Sequence, residues 1–317
     1  MNFPSSTSWR PRSNSGWIYP DTVDGAASGW TCLEFYARRY RHSTAEQWQQ
    51  RLQAGQVCRG RQVVGPDTRI TAGDQLRYQR PPWAEPAAPR WFAVLHEADD
   101  LLAVAKPAGL QVLPGALFLQ NTLLDVVREK RGQDWAPAHR LGRGTTGIVL
   151  FTRTEQVRRG VAAAFRDGGL CKRYRALVQG VELPDGFTVD QPIGRVPDVV
   201  MGSIHAAVTG GRASRSLVRV IERRLASDQA LVEVEIPTGR PHQIRIHLAA
   251  AGHPLVGEPL YGVGGVRRVD AAAKAARPGD IGYHLHAMSV TCTHPVTGAT
   301  VSVYCRPPSA LRSAGPV

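Results

Sequence analysis

The stretch from Pro237 to Gly262, PTGRPHQIRIHLAAAGHPLVGEPLYG, decides how the rest of the chain is read. A β-rich run ends at Gly239, and Pro241 suits a first helical turn, where a missing N–H costs nothing. The spacing predicts a helix over 242–251 that closes at Gly252. Arg240, His242, Gln243, Arg245 and His247 fall at the start of that helix. Cationic and imidazole side chains at a helix N-terminus suit a phosphate or a carboxylate, because the backbone N–H groups and the dipole favour negative charge there. His242 and His247 are five residues apart and point to different helix faces, so they do not form a metal pair.

Working outward, the chain from Trp91 alternates β-rich runs with single helices. FAVLHEADDLLAVAKPAG reads as a hairpin turning at Glu97–Asp100. Helices are expected over 122–131 and 156–167, the latter ending at Gly168-Gly169. Strands are expected over 147–152, 172–178, 216–222 and 231–236, with a final hairpin around HPVTG at 294–298. No regular strand–helix–strand repeat occurs, which argues for α+β with a mostly antiparallel mixed sheet.

Upstream lies a smaller pattern. A helix is expected over 31–40 and a second one from Ser43, with Ser43 and Glu46 as a capping box. Short β runs broken by glycines follow. Arg38, Arg39, Arg51, Arg59 and Arg61 make this part basic. The expected organisation is a flexible segment over 1–30, a small α+β domain over 31–80, a Pro-rich linker over 81–90, a large domain over 91–306, and a tail over 307–317.

Composition narrows the classes. The chain has 317 residues, 39 Lys+Arg against 26 Asp+Glu, a net charge of +13, and 43% hydrophobic residues. That hydrophobic share excludes global disorder. The charge suits a polyanionic partner. No apolar run reaches about 18 residues, so no transmembrane helix is expected. The N-terminus lacks an apolar signal core. The five cysteines form no CxxC pair, so neither a metal site nor a disulfide framework is expected, and a reduced, cytoplasmic protein is.

The quoted stretch resembles the hallmark of the RluA-type pseudouridine synthases, in which GRxHQIRxH precedes GHPxxGDxxYG. Five further stretches are similar to family segments in the same order: VAKPAGLQVLPG (104–115), KRYRALVQG (172–180), QPIGRVP (191–197), GGRASRS (210–216) and LHAMSVTCTHPVTG (285–298). The match spans about 92–305. Residues 31–80 resemble the small RNA-binding domain first described in a ribosomal small-subunit protein. The resemblance implies an enzyme without cofactor or metal that isomerises uridine to pseudouridine in structured RNA, ribosomal or transfer. No membrane partner is expected, and the oligomeric state stays open, with a monomer as the expectation.

The resemblance also places the site. Tyr174 falls on the family tyrosine that stacks on the base, and Arg245 on the arginine that pairs with the catalytic aspartate. His139, Arg140, Lys172, Arg240 and His242, with the five arginines of the small domain, are the expected RNA contacts. His139 on its own reads more readily as a loop-packing or hydrogen-bonding residue than as a general base. Lys106 reads either as a phosphate contact or as a solvated turn, and Arg267, Arg268 and Lys274 as solvated surface.

One departure matters most. The family's HRLD motif reads HRLGRGTTG here (139–147), so Gly142 stands at the catalytic Asp position and Gly144 at a second, frequently acidic one. This loop resembles that of a plant-like branch of the family. Breaking the bond between uracil N1 and the ribose needs a carboxylate near the anomeric carbon, as nucleophile or as base; glycine offers neither. Arg245 then lacks its expected partner, and a buried unpaired guanidinium is costly. Asp125, Glu129, Asp134, Asp198 and Glu258 are the conceivable substitutes, Glu258 as a structural one. Two functions stay open: an isomerase with its carboxylate supplied from elsewhere, and a catalytically silent RNA-binding protein.

Overall fold

The computed structural model describes residues 9–167, 169–270 and 275–315. The expected features at the extreme N-terminus (1–8), Gly168, Lys274 and the last two residues lie outside the described residues. The described residues divide into two compact units, one over 11–85 and one from residue 86 onward that also takes in Trp9 and Arg10.

The smaller unit packs two helices on a four-stranded sheet. The strands Trp17–Thr22, Gln75–Arg80, Val57–Arg59 and Gln62–Val63 lie in that order. Helix α1 (Cys32–Arg39) and helix α2 (Ala45–Gln53) each start with a capping box, Thr31 with Glu34 and Thr44 with Gln47. The second box corrects the expected Ser43–Glu46 pairing. Ser43 lies one residue too early and its hydroxyl accepts from Arg51 instead, at 2.9 Å. Phe35, Tyr36, Trp48, Leu52, Ile70 and Leu76 form the core, with Tyr36 stacked on Trp48 at 4.7 Å.

From residue 17 the segment before residue 31 is not the flexible one expected. Trp17–Thr22 pairs along its length with Gln75–Arg80, and Val23 is buried, because the sheet needs that strand to cover its edge. Nor is 81–90 a bare linker: Ala84–Pro89 is a strand with Ala88 fully buried.

The larger unit is built on a ten-stranded sheet. Its main path runs Gly186–Val189, Ser216–Arg224, Gln229–Glu235, Cys171–Gln179, Leu285–Thr293, Thr146–Thr152, Leu101–Lys106, Ala93–Glu97. The one parallel pairing on this path joins Thr146–Thr152 to Leu285–Thr293; the others are antiparallel. Leu101–Lys106 is buried at every position, as expected of a strand covered on both faces. Helices α3 (Leu123–Arg131) and α4 (Glu155–Asp167) flank the sheet, and α5 (Gln243–Ala250) packs near its centre, buried from Gln243 to Ala249. The tail folds back: Leu311 is 2% exposed and packs with Leu177 and Leu231.

The parallel pairing sets the site, because it brings the loop after His139 beside the segment that enters Leu285–Thr293. It depends on Gly147. That residue has φ +106°, and an ideal Cβ there would lie 2.1 Å from the carbonyl oxygen of Ala287. Replacing Gly147 with Ala is expected to cost the larger unit about 2 kcal/mol or more, by forced overpacking and backbone strain. Urea unfolding checks this against Gly279→Ala, which meets no atom within 4 Å and is expected to unfold at the wild-type midpoint.

Candidate active site

Hydrogen bonds from several segments hold the HRLGRGT loop. The Lys106 ammonium, 2% exposed, donates to the carbonyls of Pro107 (2.7 Å), Leu110 (2.8 Å) and Arg143 (3.2 Å). Gly109 N–H reaches the same Arg143 carbonyl at 2.8 Å. Burial pulls the Lys106 pKa down to about 7. Lys106 is thus neither a phosphate contact nor a solvated turn; it bolts the KPAG turn to the loop. Thr146 Oγ1 pairs with His286 Nδ1 at 2.8 Å, while His286 Nε2 donates to the Cys305 carbonyl at 3.0 Å.

A cleft of about 90 Å³ opens over the loop, lined by Arg140, Gly142, Tyr174, His242, Arg245 and Tyr283 among others. Tyr174 comes from the central strand Cys171–Gln179 and is 8% exposed. Burial pushes its pKa up to about 12, so the side chain is a neutral phenol at pH 7. Arg140 is solvent-exposed at the rim.

His242 caps α5 in the left-handed region, at φ 56°. The helix therefore begins at Gln243, and Pro241 precedes the cap and lies outside the first turn. Such a conformation is strained for a side-chain-bearing residue, by about 1–3 kcal/mol. A 2.7 Å bond between His242 Nδ1 and Tyr261 Oη holds it. Tyr261 donates its one hydroxyl proton to the His205 carbonyl at 2.9 Å, so Nδ1 must be the donor to Tyr261. Burial and the nearby Arg245 cation hold the His242 pKa down at about 3. The neutral ring then carries its lone pair on Nε2, beside the cleft.

Arg245 is not without a partner. Its Nε donates to Glu258 Oε2 at 2.7 Å and its Nη2 to Oε1 at 2.5 Å; the two side chains are 2% and 0% exposed. Nη1 donates to the Pro278 carbonyl at 3.0 Å. Glu258 also accepts from the backbone N–H groups of Leu260 and Tyr261. Both Glu258 oxygens are engaged, so this carboxylate balances charge and holds the fork without facing the cleft. The other conceivable substitutes serve elsewhere: Asp125 and Glu129 with Arg90, Asp134 with Arg153, Asp198 with Arg267. The last pair also moves Arg267 from the solvated surface into a partly buried bridge.

Tyr283 completes the cleft and was not singled out by any sequence motif. Its ring lies 4.3 Å from the Arg245 guanidinium, which also faces the Tyr261 ring at 5.1 Å. An ideal Cβ at residue 142 would sit 2.7 Å from Tyr283 Oη, and one at residue 144 would sit 2.9 Å from two ring carbons. Tyr283 therefore occupies the space that side chains at both positions would need. The sequence offers only the two glycines at 142 and 144, which leave room for a bulky neighbour without naming it.

Some expected RNA contacts take other roles. His139 Nε2 accepts from Leu150 N–H at 3.0 Å, with its ring against Phe165 at 4.8 Å. Lys172 is 6% exposed, lies 5.2 Å from the Phe165 ring, and has its pKa drawn down to about 8 by burial. Both act within the fold. Arg240 lines the cleft with its Nε tethered to the Ala213 carbonyl. In the smaller unit Arg38 and Arg61 are exposed, Arg39 pairs with Asp21 and Arg59 with Asp74, and Arg51 lies over Trp48 at 4.4 Å. Among the described residues no group of His, Cys, Asp and Glu could hold a metal ion, and His247 is bonded to Ser216 and the Gln191 carbonyl.

A mostly antiparallel sheet whose cleft joins a buried phenol to an arginine on a GRPHQIRIH segment defines the class of RNA pseudouridine synthases. Comparison with known proteins agrees. The RNA pseudouridylate synthase family profile matches residues 100–250. The chain is 38% identical to RNA pseudouridine synthase 5 of Oryza sativa over 97% of its own length and 90% of the relative's. It is 35% identical to ribosomal large subunit pseudouridine synthase D of Nitrosomonas europaea over 77% of its length and 69% of the relative's. The structure of human RNA pseudouridylate synthase domain containing 1 shares the fold, with a TM-score of 0.55 at 22% identity, covering 71% of this chain and 86% of that one. The chain belongs to the RNA pseudouridylate synthase family, in its RluA-type branch.

Two outcomes follow from this geometry. Glu258→Gln leaves a buried guanidinium without its counter-charge and is expected to cost about 3–5 kcal/mol, read as a lowered urea midpoint of the larger unit. His139→Gln keeps an acceptor for Leu150 N–H but does not titrate. Burial, with Lys172 nearby, holds the folded-state pKa of His139 down at about 3, against an ordinary value near 6.5. The unfolded chain therefore binds a proton that the folded one refuses, and stability present above pH 6.5 is lost as pH falls toward 3. Melting temperature measured from pH 7 to pH 4 is expected to fall less steeply in His139→Gln than in the wild type.

Proposed function

We propose that this RNA pseudouridine synthase acts on a uridine of structured RNA, ribosomal or transfer, in the cytoplasm. The observation that carries the reading is the cleft itself: Tyr174, Arg245 and Arg140 line one space over the loop that replaces HRLD. A target uridine must leave its stack to be reached, and a pocket with an aromatic floor and a cationic rim receives such a base. Tyr174 stacks on the uracil as a neutral phenol. Arg140 holds the flanking backbone. The His242 ring offers an acceptor nitrogen to the nucleotide.

In the smaller unit Arg38 and Arg61 are exposed to meet RNA phosphates, with Arg39, Arg51 and Arg59 held closer to their own surface. Neither unit needs a metal or cofactor for an isomerisation that neither adds nor removes electrons. The large-subunit name of the Nitrosomonas relative favours ribosomal RNA over transfer RNA. No helix among the described residues is long and apolar enough to cross a membrane, which is compatible with a cytoplasmic site of action. A silent RNA-binding role would leave the buried phenol and the cleft without a purpose.

The test is nucleoside mapping of RNA from cells lacking this chain, before and after treatment with the purified protein. New pseudouridine at a defined site is expected; RNA that binds and stays unmodified would favour the silent reading. Binding is expected to weaken steeply between 50 and 200 mM salt, roughly tenfold or more for several phosphate contacts. A flat salt response would remove the phosphate contacts from the account.

A further inference from the structure

The described residues place no carboxylate at the reacting end of the cleft, and something must meet the anomeric carbon when the glycosidic bond breaks. We infer that the Tyr283 hydroxyl is the catalytic oxygen, standing where the HRLD aspartate would stand. The inference rests on the isomerase reading above.

Position is the first argument. The Tyr283 hydroxyl oxygen lies 2.7 Å from where a side chain at residue 142 would begin, while its ring carbons lie where one at residue 144 would begin. The polar atom, and not merely the ring, has taken the aspartate's place. A simple space-filler would be served by Phe, with no buried hydroxyl to satisfy. Here the hydroxyl shares a buried 3.1 Å hydrogen bond with Thr145 Oγ1, from the same loop.

Orientation is the second argument. Tyr283 is 5% exposed, lines the cleft with Tyr174, and faces the Arg245 guanidinium at 4.3 Å. A cation over the ring stabilises negative charge that develops on the phenol. The backbone before it is fixed by a close approach, because a Cβ at Gly257 would lie 2.3 Å from the Gly282 carbonyl oxygen. His284 N–H bonds the Val256 carbonyl at 3.2 Å. The GHPLVGEPLYG stretch therefore aims Tyr283 at the loop.

Tyrosine is chemically able to replace a carboxylate at a sugar carbon; sialidases use it as the nucleophile at the anomeric centre. The step balances as follows. Tyr283 Oη forms a bond to C1′ as the C1′–N1 bond breaks, its electron pair leaves on the uracil, and the phenol proton passes to that uracil. The freed base turns on Tyr174. C5 then attacks C1′, the Oη–C1′ bond breaks, and the proton displaced from C5 returns to Tyr283 Oη. No proton or electron is gained or lost overall.

The experiment uses the full chain and RNA from cells lacking it, with single-turnover pseudouridine formation, RNA binding and thermal melting as readouts. Tyr283→Phe is expected to lower the rate at least a thousandfold while binding RNA within threefold of wild type. Gly142→Asp alone is expected to melt earlier and gain nothing, since its Cβ meets Tyr283. Gly142→Asp combined with Tyr283→Ala is expected to exceed Tyr283→Ala alone by at least a hundredfold, the carboxylate entering the vacated space. This second comparison decides the matter if Tyr283→Phe folds poorly. A Tyr283→Phe rate within tenfold of wild type would overturn the inference and leave the isomerase reading intact. A wild-type protein that forms no pseudouridine would end both.

Discussion

Two opposite charges with almost no access to water, Arg245 and Glu258, organise everything around the cleft. Taking them out of water costs several kcal/mol per ion, which is recovered only through good geometry and full hydrogen bonding. Both conditions are met. The fork binds both carboxylate oxygens, the third nitrogen finds the Pro278 carbonyl, and the carboxylate takes two backbone N–H groups. The pair thereby fixes helix α5, the turn after Glu258 and the segment before Tyr283 in one arrangement. It also leaves Arg245 satisfied without help from the loop at 142. In a site whose arginine depended on an HRLD aspartate, loss of that aspartate would strand a charge; here the charge was never waiting for it.

Once the arginine is independent, the loop is free to lose its side chains, and the space is claimed from the opposite side. Gly142 and Gly144 admit the Tyr283 ring, and the Gly147–Ala287 contact and the Gly257–Gly282 contact bring loop and tyrosine within reach of each other. The glycines are paired devices: two accept a side chain, two accept a backbone. A glycine read singly says only that a side chain is absent. Its meaning lies in the group that fills the gap, and here that group, Tyr283, comes from a segment far along the chain.

This explains what was legible in the sequence. The hairpin turning at Glu97–Asp100, the helices near 31–40 and 122–131 and the mostly antiparallel sheet are local patterns of periodicity and caps, and the structure has them. The Ser43 cap failed by one residue because Thr44 offers the same chemistry, and only the backbone decides between them. The strand Trp17–Thr22 was missed because its residues WIYPDT carry a proline and no clean alternation; its order comes from its partner Gln75–Arg80. Lys106, Lys172 and His139 read as candidate RNA contacts because charge and imidazole usually face water. Their burial depends on carbonyls and rings contributed from distant strands, which no local pattern announces.

A family motif carried onto a divergent chain meets the same constraint. Tyr174 and Arg245 fall where the motif puts them, yet their surroundings have changed: the arginine answers to Glu258, and the phenol across from it is Tyr283. A motif records which residue held a role in one arrangement of the cleft, whereas the reaction constrains only where an oxygen and a cation must stand. Where the loop offers no carboxylate, an oxygen from the segment entering the neighbouring strand can meet the constraint if the loop's backbone lets it approach. Glycine at 142 is then a requirement of the arrangement and not merely the absence of a catalytic group, since any side chain there would collide with the hydroxyl at 2.7 Å.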